Sequence, residues 1–279
     1  MKKTILAKYL AVALAAGLTS FAGSAKAGLL FEGNLNGNTI GKYDSTTGAA
    51  INSSFITGLN QPTGIAISGN NLFAASYNGS AIGKYDATTG AAINSSFITG
   101  LAGPWGIALS GNDLFVSSFN GGTVGEYDAT TGAAINSSLI SGVYHPSGIA
   151  ISGNDLLLAI QGINGISKYN ATTGDVVNSS FITGLDAPES IAISGNDLFV
   201  PNWSGAVGEY DATTGTAINR ALLTGLNLPI GLATPSDPDP AAVPEPSQVA
   251  ASLLLAAGIA GFVIVKRRKE ASALEALAA

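Results

Sequence analysis

The chain has 279 residues, 11% of them charged, and a formal net charge of −6 at pH 7. It contains no cysteine and a single histidine, His145. The acidic balance argues against a nucleic-acid or anionic-membrane partner, because clustered Lys and Arg bind such surfaces. Without cysteine there are no disulfides and no thiol chemistry, and one histidine excludes a multi-histidine zinc site. We expect no cofactor and no metal.

The first 27 residues have the layout of a secretory signal peptide. Met1-Lys2-Lys3 gives a basic start, an apolar run follows, and Ala25-Lys26-Ala27 gives a small-x-small exit. We expect signal peptidase to cut after Ala27, so the mature protein lies outside the cytoplasm. The alternative is a buried first helix.

Residues 28–234 repeat one unit five times. A tyrosine recurs at spacings of 42, 42, 42 and 41 residues, and each is followed by a near-copy of the segment ATTGAAINSSFITGL. A fixed period of this size is typical of a solenoid or a propeller. The repeated tyrosines are Tyr43, Tyr85, Tyr127, Tyr169 and Tyr210.

Each unit contains four short strand candidates. In the third unit they are residues 107–109, 114–117, 123–127 and 133–140, separated by turns rich in Gly, Asn and Asp. No segment is long enough, or periodic at 3.6 residues, to be a helix. Four antiparallel strands in about 42 residues make one blade. The sequence therefore predicts an all-β, five-bladed β-propeller of four-stranded antiparallel blades.

The repeat array begins and ends out of step. The first unit starts at Leu29 with its second strand, and the last unit is followed by a spare first strand, residues 229–234. If strands from both chain ends share one blade, all strands are used in five complete blades and no sheet edge stays open. An open stack of sheets is the alternative, although it would need polar caps that are not visible.

The repeat is similar to NHL-type and YncE-like propeller repeats over residues 28–234. That resemblance implies the fold and carries no activity.

The five copies differ mainly at one end of the predicted propeller. The turns SGND and YDATTG hardly vary, and we interpret their Asp residues as turn formers rather than calcium ligands. The opposite end varies around the repeated prolines and at the turns between second and third strands, and variable loops on a fixed scaffold are typical binding surfaces.

Aromatic rings at this end suit the apolar faces of sugars, and polar groups nearby suit their hydroxyls. In the alternative interpretation the rings only cover the ends of the core. The predicted ligand-binding face consists of Trp105, Trp203, Tyr77, Phe119 and Tyr144 for stacking, with His145, Glu189 and Gln161 for hydrogen bonds.

A glycan-cleaving enzyme is the main alternative function. Glycoside hydrolysis needs two carboxyl groups roughly 5–9.5 Å apart. Glu32 and Glu189 stand outside the repeated pattern and would lie in neighbouring blades of a closed ring. No phosphate loop and no nucleophile elbow is present. We therefore expect a non-enzymatic binding protein and assign no catalytic residue; a passive structural protein is the third possibility.

Three further segments follow the repeats. Residues 235–247 form a Pro-rich linker, residues 248–269 hold an apolar run and a basic stop, and residues 270–279 form a tail. The apolar run, residues 249–265, is near the lower limit of about 17 residues for a membrane span. The positive-inside rule predicts that the basic stop and the tail are cytoplasmic. The basic stop consists of Lys266, Arg267, Arg268 and Lys269.

A short motif precedes the apolar run: Val243, Pro244, Glu245, Pro246 and Ser247. Motif, apolar helix and basic patch together resemble the PEP-CTERM sorting signal of Gram-negative bacteria. The resemblance implies recognition by an inner-membrane exosortase, cleavage near Pro-Glu-Pro, and association with exopolysaccharide and biofilm matrix. The tail departs from the family, which usually ends soon after the basic patch, and a plain C-terminal anchor is the alternative.

Together these segments predict an exported protein. We expect an inner-membrane-anchored precursor that passes to the cell surface or the extracellular matrix of a Gram-negative bacterium. The expected partners are signal peptidase, an exosortase, and exopolysaccharide or another surface protein.

Overall fold

The computed structural model describes the backbone of residues 19–20, and residues 29–44 and 47–226. These residues form an all-β propeller of five blades, each a four-stranded antiparallel sheet. Within these ranges the one helical segment is a single 3-10 turn, Gln161–Ile163. All described residues belong to one compact unit, Leu6–Ser236. The predicted all-β fold, blade number and strand number per blade are confirmed.

Strands follow one another around the ring in chain order, and in every blade they are hydrogen-bonded in sequence order. Blade 1 contains β1 (Thr19–Ser20), β2 (Leu29–Asn34), β3 (Thr39–Asp44) and β4 (Ala50–Ile56); blade 2 contains β5 (Pro62–Ser68), β6 (Asn71–Ser76), β7 (Ala81–Asp86) and β8 (Ala92–Thr99); blade 3 contains β9 (Pro104–Ser110), β10 (Asp113–Ser118), β11 (Thr123–Asp128) and β12 (Ala134–Ile140); blade 4 contains β13 (Pro146–Ser152), β14 (Asp155–Ile160), β15 (Gly165–Asn170) and β16 (Val176–Ile182); blade 5 contains β17 (Ala192–Ser194), β18 (Asp197–Asn202), β19 (Ala206–Asp211) and β20 (Ala217–Leu223).

The core lies between neighbouring blades. Phe73 and Ile98 of blade 2, for example, belong to one buried cluster with Leu114, Val116 and Tyr127 of blade 3. Fourth strands are different, because most of their residues are exposed; in blades 2, 3 and 4 only two residues near the end of the strand are buried. Each blade thus packs its first three strands against its neighbours and leaves the fourth at the rim.

First strands approach one another closely around the centre of the ring. A Cβ added to Gly106 would lie 2.5 Å from the carbonyl oxygen of Ser147, and one added to Gly64 would lie 2.4 Å from that of Trp105. Glycine is therefore required here by the distance between blades. Blade 5 has Ser190 at this place, and its first strand is shortened to three residues, preceded by an isolated bridge from Pro188 to Asn202.

The first position of blade 1 differs from the sequence prediction. β1 takes it, with Thr19 opposite Asn34 and Ser20 opposite Gly33. This strand lies within the predicted signal peptide, whereas residues 229–234 were expected here and lie outside the described residues. The physical reason is that β2 offers an open antiparallel edge, which any nearby extended segment can pair with. Closure by residues 229–234 in a processed chain stays a prediction.

The remaining predictions for the chain ends lie outside the described residues. They concern the signal peptide apart from β1, the Pro-rich linker, the motif of residues 243–247, the apolar run with its basic stop, and the tail. Among the described residues, no helix has the length and apolar character that a membrane crossing requires.

Candidate functional site

Backbone hydrogen bonds join the two sets of variable loops at one end of the propeller. In each case the residue after the second strand donates its N–H to the carbonyl of the residue before the repeated proline. These bonds are Tyr77 to Gln61 (3.0 Å), Phe119 to Gly103 (2.8 Å) and Gln161 to His145 (3.1 Å). The two loops of one blade are therefore held side by side, which brings their side chains together.

Residues before the repeated prolines have a left-handed backbone. The φ angle is 54° at Gln61, 54° at His145 and 40° at Ala187, and Gly103 has a φ of 64°. A proline disfavours helical conformations in the preceding residue, and left-handed non-glycine residues cost of order 1–3 kcal/mol. Such strain persists where the surrounding structure imposes it, and it is concentrated at binding and catalytic sites.

The aromatic residues of blades 2, 3 and 4 form one continuous chain of rings. The ring of Trp105 lies 5.5 Å from that of Tyr77 and 5.2 Å from that of Phe119, measured between centroids. Phe119 stacks on His145 at 4.3 Å with an interplanar angle of 9°, and His145 stacks on Tyr144 at 4.0 Å. The imidazole is thus held between two rings from neighbouring blades.

A buried carboxyl group continues this arrangement into blade 5. The side chains of Trp203 and Gln161 both form hydrogen bonds with the carboxyl of Glu189, which is 2% exposed. Burial raises the pKa of Glu189 to about 7, and the two hydrogen bonds offset part of that rise. Its Oε2 atom is buried and has no hydrogen-bond partner among the described residues. Glu189 lies before β17 rather than inside a first strand, because that strand is short in this blade.

All eight residues predicted for the ligand-binding face are connected in the structure. Gln161 links the chain of rings to the buried carboxyl group. Its backbone N–H donates to the carbonyl of His145, and its side chain bonds to Glu189. Tyr144 and Trp203 are the most exposed rings, at 68% and 55%. We call the set Tyr77, Trp105, Phe119, Tyr144, His145, Gln161, Glu189 and Trp203 the aromatic face.

Two asparagines at this end were missed by the sequence reasoning. Asn120 accepts a hydrogen bond from the hydroxyl of Tyr77 at 3.2 Å. Asn202 is buried, and its Oδ1 accepts the backbone N–H of Asp186 at 3.3 Å. The available signal was their position, since Asn120 directly follows a predicted aromatic residue and Asn202 directly precedes another.

The second carboxyl of the enzyme hypothesis is also buried. Glu32 is 2% exposed and accepts a hydrogen bond from Tyr43. Burial, this bond and the nearby carboxylate together raise the pKa of Tyr43 to about 12. Hydrolysis would require both Glu32 and Glu189 to reach solvent, and in this structure each is covered.

The opposite end of the propeller carries uniform turns. In blade 3, Oδ1 of Asp128 accepts the N–H groups of Thr130 (2.9 Å) and Thr131 (2.6 Å), and its Oδ2 accepts the side-chain amide of Asn112 (2.6 Å). The bonds from Thr131 are the largest cause that holds the pKa of Asp128 below its usual value. These side chains act as turn formers. No cluster of three or more His, Cys, Asp or Glu residues suited to a metal occurs in the described part of the chain.

The geometry defines a five-bladed propeller with a connected aromatic face at one end. Known protein families give no match to this chain, and neither do curated proteins. Many solved structures share the fold.

Three of these structures illustrate the likeness. The nidogen–laminin complex has a TM-score of 0.66 at 16% identity, over 77% of this chain and 83% of that chain. A gluconolactonase from Xanthomonas campestris has a TM-score of 0.63 at 15% identity, over 75% and 77%. The computationally designed protein Ika8 has a TM-score of 0.52 at 15% identity, over 78% of this chain and 66% of that one. At such identities the likeness shows the fold alone.

Proposed function

We propose that this protein is a non-enzymatic binding module of the cell envelope or extracellular matrix, which binds polysaccharide through its aromatic face. Its exposed aromatic rings contact the apolar faces of sugar rings, Gln161 bonds to hydroxyl groups, and the buried Glu189 holds the side chains of Gln161 and Trp203 in place. A surface protein is the other ligand class for the same face, since exposed aromatic residues are also enriched at protein interfaces.

One observation carries this proposal: eight residues scattered over four blades meet in one connected array. Had the rings only covered the core, they would be mostly buried, as Phe73 and Phe97 are. Instead, Tyr144 and Trp203 are mostly exposed while their neighbours in the array hold them in place. Pre-organised rings beside a buried polar group are the arrangement that favours sugar binding, because little side-chain entropy is lost when the ligand arrives.

Export and sorting are part of the same proposal and rest on the sequence. Residues 1–27 act as the signal peptide, and residues 243–247 with the following apolar run and basic stop act as the PEP-CTERM signal. Signal peptidase and an exosortase are then the processing partners. The test is replacement of Pro244, Glu245 and Pro246 by Ala, followed by fractionation of the producing cells. Retention in the inner membrane is expected, and unchanged release would exclude exosortase sorting.

The binding test is calorimetry of the purified protein with exopolysaccharide from the producing bacterium. A Trp105→Ala/Trp203→Ala variant is compared with the unmodified chain, and we expect a loss of at least about thirtyfold in affinity, as for buried aromatic anchors of about 2 kcal/mol. Binding that survives the loss of both rings would contradict the proposal.

A matched control is available on the rim of the propeller. Ile93 and Ile135 lie on fourth strands and are each 55% exposed, like Trp203. An Ile93→Ala/Ile135→Ala variant removes a comparable exposed apolar surface without touching the aromatic face, so its affinity should be unchanged. No binding by any of the three proteins would leave a displayed structural protein as the better account.

Hydrolysis is the second candidate function, because a carboxyl with a pKa of about 7 is suited to general acid catalysis. The fold is compatible with activity, as one structural neighbour is a gluconolactonase. Glu189→Gln separates the two functions. An enzyme would release reducing sugar from a bound polysaccharide and lose that activity in the variant, whereas a binding module releases none in either form.

A further inference from the structure

The charges around the aromatic face define what kind of polysaccharide it can take. Anionic polymers are held by Arg and Lys side chains, which form charge-assisted hydrogen bonds with carboxylate, sulfate or phosphate groups. A site for such polymers should therefore present cations beside its stacking rings.

In residues 29–44 and 47–226 the three lysines donate to backbone carbonyls at the end opposite the aromatic face, and Arg220 donates to a carbonyl just before the loop that holds Asp186. Lys84 is typical: its Nζ donates to the carbonyl of Ala129 in the next blade at 2.9 Å and lies 4.9 Å from the ring centroid of Phe97. The other three and their carbonyl partners are Lys42 with Thr88 at 3.2 Å, Lys168 with Thr213 at 3.3 Å, and Arg220 with Thr183 at 3.2 Å.

The aromatic face instead has acidic neighbours. Glu189 is buried at the blade 5 end of this face, and Asp186 is exposed on the loop just before it. The carbonyl of Asp186 accepts the backbone N–H of Trp203 at 2.9 Å, so this carboxylate belongs to the same loop cluster as an exposed stacking ring. An acidic chain lying across Trp203 would meet the exposed carboxylate of Asp186, with His145 as the one basic side chain of the array.

The length of the array favours a chain over a single sugar. Five rings follow one another from blade 2 to blade 4 at centroid distances between 4.0 and 5.5 Å, and Trp203 extends the face to blade 5. The two most exposed rings, Tyr144 and Trp203, belong to blades 4 and 5, and one sugar ring covers only one aromatic ring, so a ligand that contacts both must contain several sugar units.

We propose that the ligand is a neutral polysaccharide chain, bound across blades 2 to 5, and that Asp186 discriminates against acidic chains. This inference rests on the proposed polysaccharide-binding function. It adds the charge class of the ligand and a specificity residue, Asp186, outside the predicted face.

The test compares polysaccharides that share one sugar backbone and differ only in charge. Hydroxyethylcellulose, dextran and laminarin are compared with their carboxymethylated counterparts by affinity electrophoresis and calorimetry with the full-length protein. We expect at least one neutral polymer to bind at least tenfold more tightly than its acidic counterpart at low salt. The ratio should shrink as salt is raised, because exposed charges are screened.

Charge-reversal variants test whether Asp186 causes the discrimination against acidic chains. Asp186→Lys should shift the neutral-to-acidic affinity ratio by about fivefold or more toward acidic chains, the size expected for one surface charge contact. Asp175→Lys is the matched control, since Asp175 is a charged loop residue in the turn at the opposite end, and it should leave the ratio unchanged.

The outcomes separate the two proposals. Equal or tighter binding of acidic chains, or an equal shift from both Lys variants, overturns the neutral-ligand inference and leaves polysaccharide binding intact. If no neutral or acidic polymer binds, or if Trp105→Ala/Trp203→Ala does not weaken binding, both proposals fail.

Discussion

The two ends of the propeller are built from the same five repeats and yet differ in chemistry. At the turn end, defined by the YDATTG-type turns, blades 2, 3 and 5 use one pattern of side-chain bonds, in which an Asn of the first turn binds an Asp of the third. At the aromatic face, each blade contributes different residues. At the turn end the polar side chains thus have hydrogen-bond partners within their own blade. The aromatic face has exposed rings beside a buried carboxyl group.

The three lysines of the described residues lie on one side of the same division. Lys42, Lys84 and Lys168 reach carbonyls of the third-strand turns in the next blade, and each lies over a phenylalanine ring. They connect neighbouring blades at the turn end. The difference teaches that repetition supplies the scaffold, and that departures from it, at one end only, supply the candidate site.

The largest expected effect on stability comes from Glu189. Its pKa is about 7 in the folded protein and near 4.5 when exposed, so the folded state favours the protonated form. Protonated Glu189 therefore contributes stability that is fully present below pH 4.5, and this contribution is lost as pH rises through 7. Between pH 5 and pH 8 the free energy of unfolding should fall by about 2–3 kcal/mol, at 1.36 kcal/mol per pKa unit. Urea unfolding at several pH values measures this.

Glu189→Gln is the control for that pH dependence. Glutamine keeps an oxygen that can accept the bonds from Trp203 and Gln161 but has no proton to lose. The unfolding free energy of the variant should be nearly flat between pH 5 and pH 8. A variant as pH-dependent as the parent would mean that another group titrates.

The next effect concerns the spacing of the first strands. In Gly106→Ala the new Cβ would lie 2.5 Å from a backbone oxygen of blade 4, which has little room to move. We expect a loss of about 1–3 kcal/mol, the usual cost of overpacking. Ser190→Ala, at the equivalent place in blade 5, already has a Cβ and should cost less. Equal losses in urea unfolding would show that the blades are not spaced as described.

A smaller effect is expected from the turn end. Asp128→Ala removes the acceptor for Thr130, Thr131 and Asn112, so the melting temperature should fall by several degrees while polysaccharide affinity stays unchanged. In Asp128→Asn the change should be smaller, because blade 4 has Asn170 at this place with the same backbone bonds. A loss of polysaccharide affinity in either variant would contradict the claim that the turn end has no part in binding.

The smallest effect on stability should come from the aromatic face itself. Tyr144 is 68% exposed, so Tyr144→Ala should change the free energy of unfolding by less than about 1 kcal/mol. Its affinity for polysaccharide should nevertheless drop, because the ring that stacks on His145 is gone. Calorimetry and thermal unfolding of the same sample separate the two effects, and a large loss of stability would favour a structural role.

Much of this architecture could be read from the repeats. The period gave the blade and strand numbers, and comparison of the five copies placed all eight residues at one end. The contacts among them could not be predicted, because the distance between blades is set by the packing of first strands. The stacking of His145 between Phe119 and Tyr144 and the bonds from Gln161 and Trp203 to Glu189 depend on that distance.

The sequence by itself determined the local features of this protein: four short strands in each unit, turns formed by Asx and Gly residues, and one end where the copies diverge. These follow from short-range backbone and side-chain preferences. The tertiary structure alone decided that β1 pairs with β2, that the first strand of blade 5 is short, and that Glu189 is buried with a raised pKa. The physical reason is that edge pairing and desolvation depend on residues from distant parts of the chain.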